Sequence, residues 1–140
     1  MKRLLIITTA LITAIFSLNG CSKPDPLPKK DEYYVKYVFE ATNDVEYESR
    51  YWSCCVSYTS EKGQVIVDFK PVDHLSYEVV TGPFEYGSKV FATLYGDGFP
   101  NTSIQIFVSK NDSPFELKGT ENGTNKGVEN GTELEYTIDY

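Results

Sequence analysis

The sequence is short of almost everything a reactive site needs. It has one histidine, three cysteines and one tryptophan in 140 residues. The histidine, His74, lies in a Pro71-Val72-Asp73-His74 turn with no nucleophile beside it, so no catalytic residue is expected and the chain does not read as an enzyme. One His and poorly spaced Cys give no zinc set. Asp97 between Gly96 and Gly98, with Asn101 nearby, lacks the clustered carboxylates of a calcium loop, and turn formation accounts for it. No metal and no cofactor are expected. Positive charge is also scarce, with 13 Lys and Arg against 20 Asp and Glu and a net charge of −7. Lys36, Lys70 and Lys89 stand singly among acids, so no basic face exists for a phosphate backbone and nucleic acid is excluded as a partner.

Long apolar runs are missing everywhere except at the start. Met1-Lys2-Arg3 is followed by an apolar stretch over 4–16, interrupted only by threonines, and then by Ser17-Leu18-Asn19-Gly20-Cys21. A basic start, an apolar centre and a small residue before a cut is the layout of a secretory signal peptide, assigned to 1–20. The run falls short of the roughly 20 residues that cross a bilayer. Removing this leader takes away Lys2 and Arg3 but no acid, so the remaining chain carries −9.

Leu18-Asn19-Gly20-Cys21 resembles the lipobox of bacterial lipoproteins, with an apolar residue three before the cysteine and a small one directly before it; Asn19 departs from the usual small or hydroxylated residue. The resemblance implies a diacylglyceryl group on the Cys21 thiol, cleavage before Cys21, and a new amino group open to acylation (palmitate). Two chains, each worth about 0.8 kcal/mol per buried methylene, anchor stably where one is marginal. Prolines 24, 26 and 28 favour an extended backbone, so 21–32 reads as the lipidated cysteine and a tether reaching up to roughly 30 Å. Ser22, where an Asp is absent, resembles lipoproteins passed on to an outer membrane. The expected location is therefore the cell envelope, on an outer membrane held through Cys21.

After Cys21 good helix formers are rare: five Leu and two Ala against twelve Val, eleven Tyr and seven Phe. That balance suits pleated, half-buried strands. Tyr33, Val35, Tyr37, Phe39 and Ala41 share one face in strict alternation. Val45 and Tyr47 continue a second strand, and the phase shifts near Tyr51-Trp52, where a bulge or turn is expected. Trp52, Cys54, Val56 and Tyr58 then alternate, 60–63 reads as a hairpin loop, and a strand runs from Val65 to Phe69. Leu75, Tyr77 and Val79 begin a strand that should stop at Gly82-Pro83. Val90, Ala92 and Leu94, then Ile104, Ile106 and Val108, then Leu134, Tyr136 and Ile138 mark three more. The segment 118–131 is nearly free of apolar residues and carries Glu-Asn-Gly-Thr at 121 and at 129, so it reads as a long loop. Seven to eight short strands with Gly, Pro and Asn between them predict an all-β antiparallel sandwich over 33–140, with a small β-barrel as the alternative.

Ser76-Tyr77-Glu78-Val79-Val80-Thr81-Gly82-Pro83-Phe84, Gly87-Ser88-Lys89-Val90-Phe91-Ala92, Ile104-Gln105-Ile106-Phe107-Val108 and Pro114-Phe115-Glu116-Leu117-Lys118 follow one another in an order similar to that of small lipoproteins of Bacteroidetes-type bacteria. The likeness covers about the second half of the chain. It implies an immunoglobulin- or transthyretin-like sandwich and an uncharacterised family, and it carries no functional residue with it.

Cys54-Cys55 is the unusual pair. Adjacent α-carbons sit about 3.8 Å apart, below the disulfide range that starts near about 4.4 Å. The favoured reading is two unpaired thiols, Cys54 in the core and Cys55 more exposed; a strained redox bridge, or an intermolecular disulfide through Cys55, are the other two. Tyr34, Tyr51, Trp52, Tyr86, Tyr95 and Phe99 fall out of the core phase or in loops, and such rings can stack on sugars or anchor an interface. Their ordinary use as amphipathic strand residues competes with that. The expected function is a non-catalytic binding module for protein or glycan. The alternative is a structural accessory subunit of an outer-membrane complex, joined by edge-strand pairing along the first or last strand.

Overall fold

The computed structural model describes residues 29–42, 54–70, 74–96, 101–123 and 131–139. The chain divides into 1–30 and 31–140, and every described strand belongs to the second unit. The strands are β1 (Tyr33–Thr42), β2 (Cys54–Ser60), β3 (Gly63–Phe69), β4 (His74–Phe84), β5 (Lys89–Gly96), β6 (Asn101–Lys110), β7 (Glu116–Gly123) and β8 (Thr132–Thr137). They form two four-stranded antiparallel sheets, in the orders β4-β1-β6-β7 and β3-β2-β5-β8. The expected sandwich is what forms, and the sheets do not close into a barrel.

Alternation decides what lies between the sheets. Tyr33, Val35, Tyr37, Phe39 and Ala41 of β1 are all buried, opposite Ile104, Ile106 and Val108 of β6. From the other sheet come Cys54, Val56 and Tyr58 of β2 and Val90, Ala92 and Leu94 of β5. Each Leu or Ile taken out of water here contributes about 1.5–3 kcal/mol. The centre is aromatic: the Tyr37 and Tyr58 rings are 5.4 Å apart, and Phe39 lies 6.4 Å from Tyr58 and 6.2 Å from Tyr77. A tyrosine in a core needs a partner for its hydroxyl. Tyr37 OH finds one by donating to Thr59 O of the opposite sheet at 2.8 Å.

The two lateral edges of the sandwich differ. At one, β7 approaches β8 closely because Gly119 faces the Leu134 side chain and a Cβ at Gly123 would collide with Thr132 Oγ1. Thr102 and Thr132 share a hydrogen bond of 2.6 Å across the sheets there. At the other, between β3 and β4, the inward-facing Val65, Val67, Phe69, Tyr77 and Val79 remain only half-buried.

Three expectations change. β4 does not stop at Gly82-Pro83 but runs through it to Phe84, with a cis Gly82–Pro83 bond. Gly82 has φ +135 and a Cβ there would stand 2.8 Å from Tyr33 O, which is why glycine fits the spot. Residues 118–123 are not loop: they are most of β7, held by the ladder to β6. An edge strand is stabilised by backbone pairing and can do without apolar side chains. Finally, the first strand has no free edge, since β1 is paired on both sides by β4 and β6; the edges are β4, β7, β3 and β8. The expected strand at Val45 and Tyr47 and the bulge at 51–52 lie outside the described residues.

Candidate functional site

Register places the strand ends at two poles. Thr42 pairs with His74 and with Asn101, Thr102 with Gly123, and Cys54 with Phe69 and Gly96. The Thr102–Thr132 bond ties these ends of both sheets together. At the opposite pole stand Tyr33, Phe84 and Lys110, the two-residue turn of the β2–β3 hairpin, the turn from β4 to β5, and the Asn111-Asp112 turn.

The chain comes into the sandwich at that second pole and is clamped there. Asn111 N donates to Glu32 O at 2.9 Å, Asn111 Oδ1 accepts from Glu32 N at 2.9 Å, and Asn111 Nδ2 donates to Asp31 Oδ1 at 2.7 Å. Lys110 Nζ pairs with Asp31 Oδ2 at 2.7 Å, and the Lys110 and Asn111 donors hold the Asp31 carboxyl below its usual range. Asn111 and Asp112 have φ of 50 and 64, the left-handed region that Asn and Asp tolerate.

The first pole carries a cleft of about 390 Å³ on the end of the first sheet, lined by Glu40, Thr42, Asn101, Thr102, Ser103, Asn122 and Gly123. Ladder pairing assembles it. Glu40 lies opposite Ser103, which lies opposite Asn122, so β1, β6 and β7 present a row of carboxylate, hydroxyl and amide on the outer face. Such groups can donate to and accept from a hydroxylated or peptide-like ligand. Farther along the same face runs a more apolar row, Val80, Lys36, Phe107 and Leu117. Lys36 Nζ stands 4.7 Å above the Phe107 ring and 5.5 Å from that of Phe115.

The expected site residues do not converge. Cys54 is buried, Cys55 is half-buried on the outer face between Asp68 and Tyr95, and both are free thiols. Burial, then the neighbouring Cys55, pushes the Cys54 thiol up to about 11; burial, then Asp68, raises Cys55. Tyr86 is 67% exposed in the turn at the clamped pole, its ring 6.5 Å from that of Tyr33. Tyr95 stands near the other pole, donating to Glu133 Oε1 at 3.0 Å, and that bond, with burial behind it, raises its phenol. The two rings therefore belong to opposite ends. Tyr34 lies beside Gly82 at the clamped pole, half-buried. Cys21, Tyr51, Trp52, Phe99 and Asp97 lie outside the described residues. His74 is the exposed first residue of β4, and the rest of its expected turn, 71–73, lies outside the described residues. Among the described residues, no three His, Cys, Asp or Glu side chains stand together as a metal set.

Of the cleft, Asn101 stood out in the sequence as a turn residue, and Asn122 and Gly123 as part of the Glu-Asn-Gly-Thr segment read as loop. Glu40 and Ser103 look like ordinary solvent-facing positions, and only cross-strand pairing brings them to Asn122. No protein-family model, curated protein or solved structure matches the chain.

Proposed function

We propose that the chain is an envelope lipoprotein, anchored to an outer membrane through acylated Cys21, that acts as a non-catalytic binding module for protein or glycan. The observation that carries this reading is the polarity of the domain. Residues 31 and 32 are clamped at one pole, and the Glu40–Ser103–Asn122 cleft opens at the other. β1 and β6 are ten residues each, so the cleft stands about 30 Å from residues 31 and 32, at the other end of the sandwich. Neutral amides and hydroxyls around one carboxylate suit a polar, hydroxylated ligand better than an apolar one.

Two experiments test the two halves. Cys21→Ala should abolish lipid labelling and release the protein from the membrane fraction; a lipid-labelled, membrane-bound product would overturn the anchor. Glycan-array and native-membrane pull-down assays with the full chain should give a ligand whose binding weakens about tenfold or more in Glu40→Gln or Asn122→Ala, as expected for loss of a polar contact. Binding unchanged in both variants would overturn the cleft as its site. The second reading, an accessory subunit joined by strand pairing, is favoured by one observation, the bare edge of β3.

A further inference from the structure

Among the described residues four strands end their sheets, and their edges are not equally guarded. Proteins protect such edges with charges, proline, bulges or short length. β7 carries Glu116, Lys118 and Glu121 and a register shift at Ile106/Phe107. β8 carries Glu133 and Glu135 and lies against β7. β4 carries Glu78 and Pro83. β3 has none of these devices over Gly63-Gln64-Val65-Ile66-Val67-Asp68-Phe69 beyond the single charge of Asp68. Its central Ile66 is 64% exposed.

The surroundings of β3 are those of an unfinished interior. Val65, Val67 and Phe69 point between the sheets yet stay half-buried, as do Tyr77 and Val79 of the facing β4. The Phe69 and Tyr77 rings meet edge-on at 5.2 Å and form the outer wall of this apolar seam. Near the clamped pole Thr59 O accepts from Thr81 Oγ1 at 3.3 Å and Glu61 Oε2 accepts from Gly82 N at 3.3 Å, while farther along the Tyr58 and Tyr77 rings meet at 6.5 Å.

We propose that β3 pairs antiparallel with β3 of a second copy of this chain, about a two-fold axis through Ile66, joining the two β3-β2-β5-β8 sheets into one. The self-complementarity of the strand identifies the occupant. About Ile66 the sequence reads polar-Val-Ile-Val-polar. This register sets Ile66 against Ile66 of the second copy on the outer face and Val65 against Val67 on the inner face. Gln64, whose Nε2 already donates to Ser57 Oγ at 3.1 Å in its own sheet, then stands opposite Asp68, the only charge in the strand, so no like charges meet within the ladder. Shifting by two residues in either direction sets Ile66 against Asp68 or against Gln64. A two-fold contact of this kind closes on itself and gives a dimer instead of a fibre. It also covers the half-buried Val65, Val67 and Phe69 of both copies. The proposal does not depend on the ligand-binding reading above.

Site-directed cross-linking of the full chain tests it. Residues directly opposite in an antiparallel pair have α-carbons about 4.5–5.5 Å apart, within disulfide reach. Oxidised Ile66→Cys should therefore give a covalent dimer whose disulfide maps to the two substituted positions. Gln64→Cys alone should not, because its two copies stand about 13 Å apart along the strands, but a mixture of Gln64→Cys and Asp68→Cys should. By light scattering at tens of micromolar the native chain should have the mass of a dimer. Ile66→Lys should have the mass of a monomer with an unchanged near-ultraviolet tyrosine spectrum, since Ile66 lies outside the core. A monomeric native chain, a dimer indifferent to Ile66→Lys, or cross-linking as strong at 64 as at 66 would overturn the proposal. So would capture of a different protein's strand along β3 in place of a second copy.

Discussion

Asn111 and Glu32 exchange two hydrogen bonds of 2.9 Å, one through the Asn111 backbone N–H and one through its side-chain oxygen. The pair extends the β1–β6 ladder beyond Tyr33–Lys110. Asn111 does this from φ 50, a conformation that alanine resists and glycine accepts. Asn111→Ala should cost about 1–2 kcal/mol, from the lost side-chain bonds and the backbone strain together, and Asn111→Gly distinctly less. Urea unfolding of the two variants measures the difference, and equal losses would show that the backbone conformation contributes nothing.

Stability should fall on the alkaline side. Burial lifts Cys54 from 9.0 to about 11, and burial together with the Tyr77 hydroxyl lifts Tyr58 from 10.0 to about 12. Groups whose folded pKa is raised bind protons more tightly in the folded state, so their contribution is whole below the unfolded pKa and is lost above it. The urea midpoint should therefore show no loss from these groups up to about pH 9, decline first through Cys54 and Cys55 and then more steeply above about pH 10 through Tyr58 and Tyr37, whose phenol burial raises further still. Cys54→Val should shrink the first part of that decline to the share of Cys55 and leave the second.

The same thiols should be slow to alkylate. A thiolate is the reacting species, and both cysteines are held in the neutral form by burial. In the folded protein at neutral pH, iodoacetamide followed by peptide mass analysis should find Cys55 modified faster than Cys54, and both far slower than in urea. Equal rates at Cys54 and Cys55 would contradict the burial of Cys54.

Gly123 should resist substitution for a reason that lies in another strand. A Cβ there runs into Thr132 Oγ1 and comes within 3.0 Å of Thr102 Oγ1, the two atoms whose hydrogen bond joins the sheets. Gly123→Ala should cost about 1–3 kcal/mol, as overpacking does. The cost should shrink when Thr132→Ala is already present, because the first atom in the way is gone. A double-mutant cycle reads that coupling, and strict additivity would argue against the contact.

Much of the fold was legible because period-two alternation is a local property. Tyr33, Val35, Tyr37, Phe39 and Ala41 follow one another at every second position, and all five are buried. Residues 118–123 were illegible for the converse reason: their strand exists because β6 offers a ladder, and Gly119 and Gly123 are suited to it by Leu134 and Thr132, which are local only in space. The run through Gly82-Pro83 was missed because an edge strand can hold a residue without an N–H that an interior strand cannot. Glu40 and Ser103 gave no signal as site residues, since a polar side chain on an outer face looks the same whether or not it has neighbours across the sheet.

The all-β class and the buried phase of each clearly alternating strand were set by the sequence, because these depend on side-chain chemistry and on spacing within a few residues. Tertiary structure alone decided that β1 lies inside its sheet, that the cleft opens at the pole opposite the Asn111–Glu32 clamp, and that β3 is the least guarded edge. Those outcomes follow from pairings between strands far apart in the chain. Their register depends on which hydrophobic faces can be buried together, and no single segment contains that information.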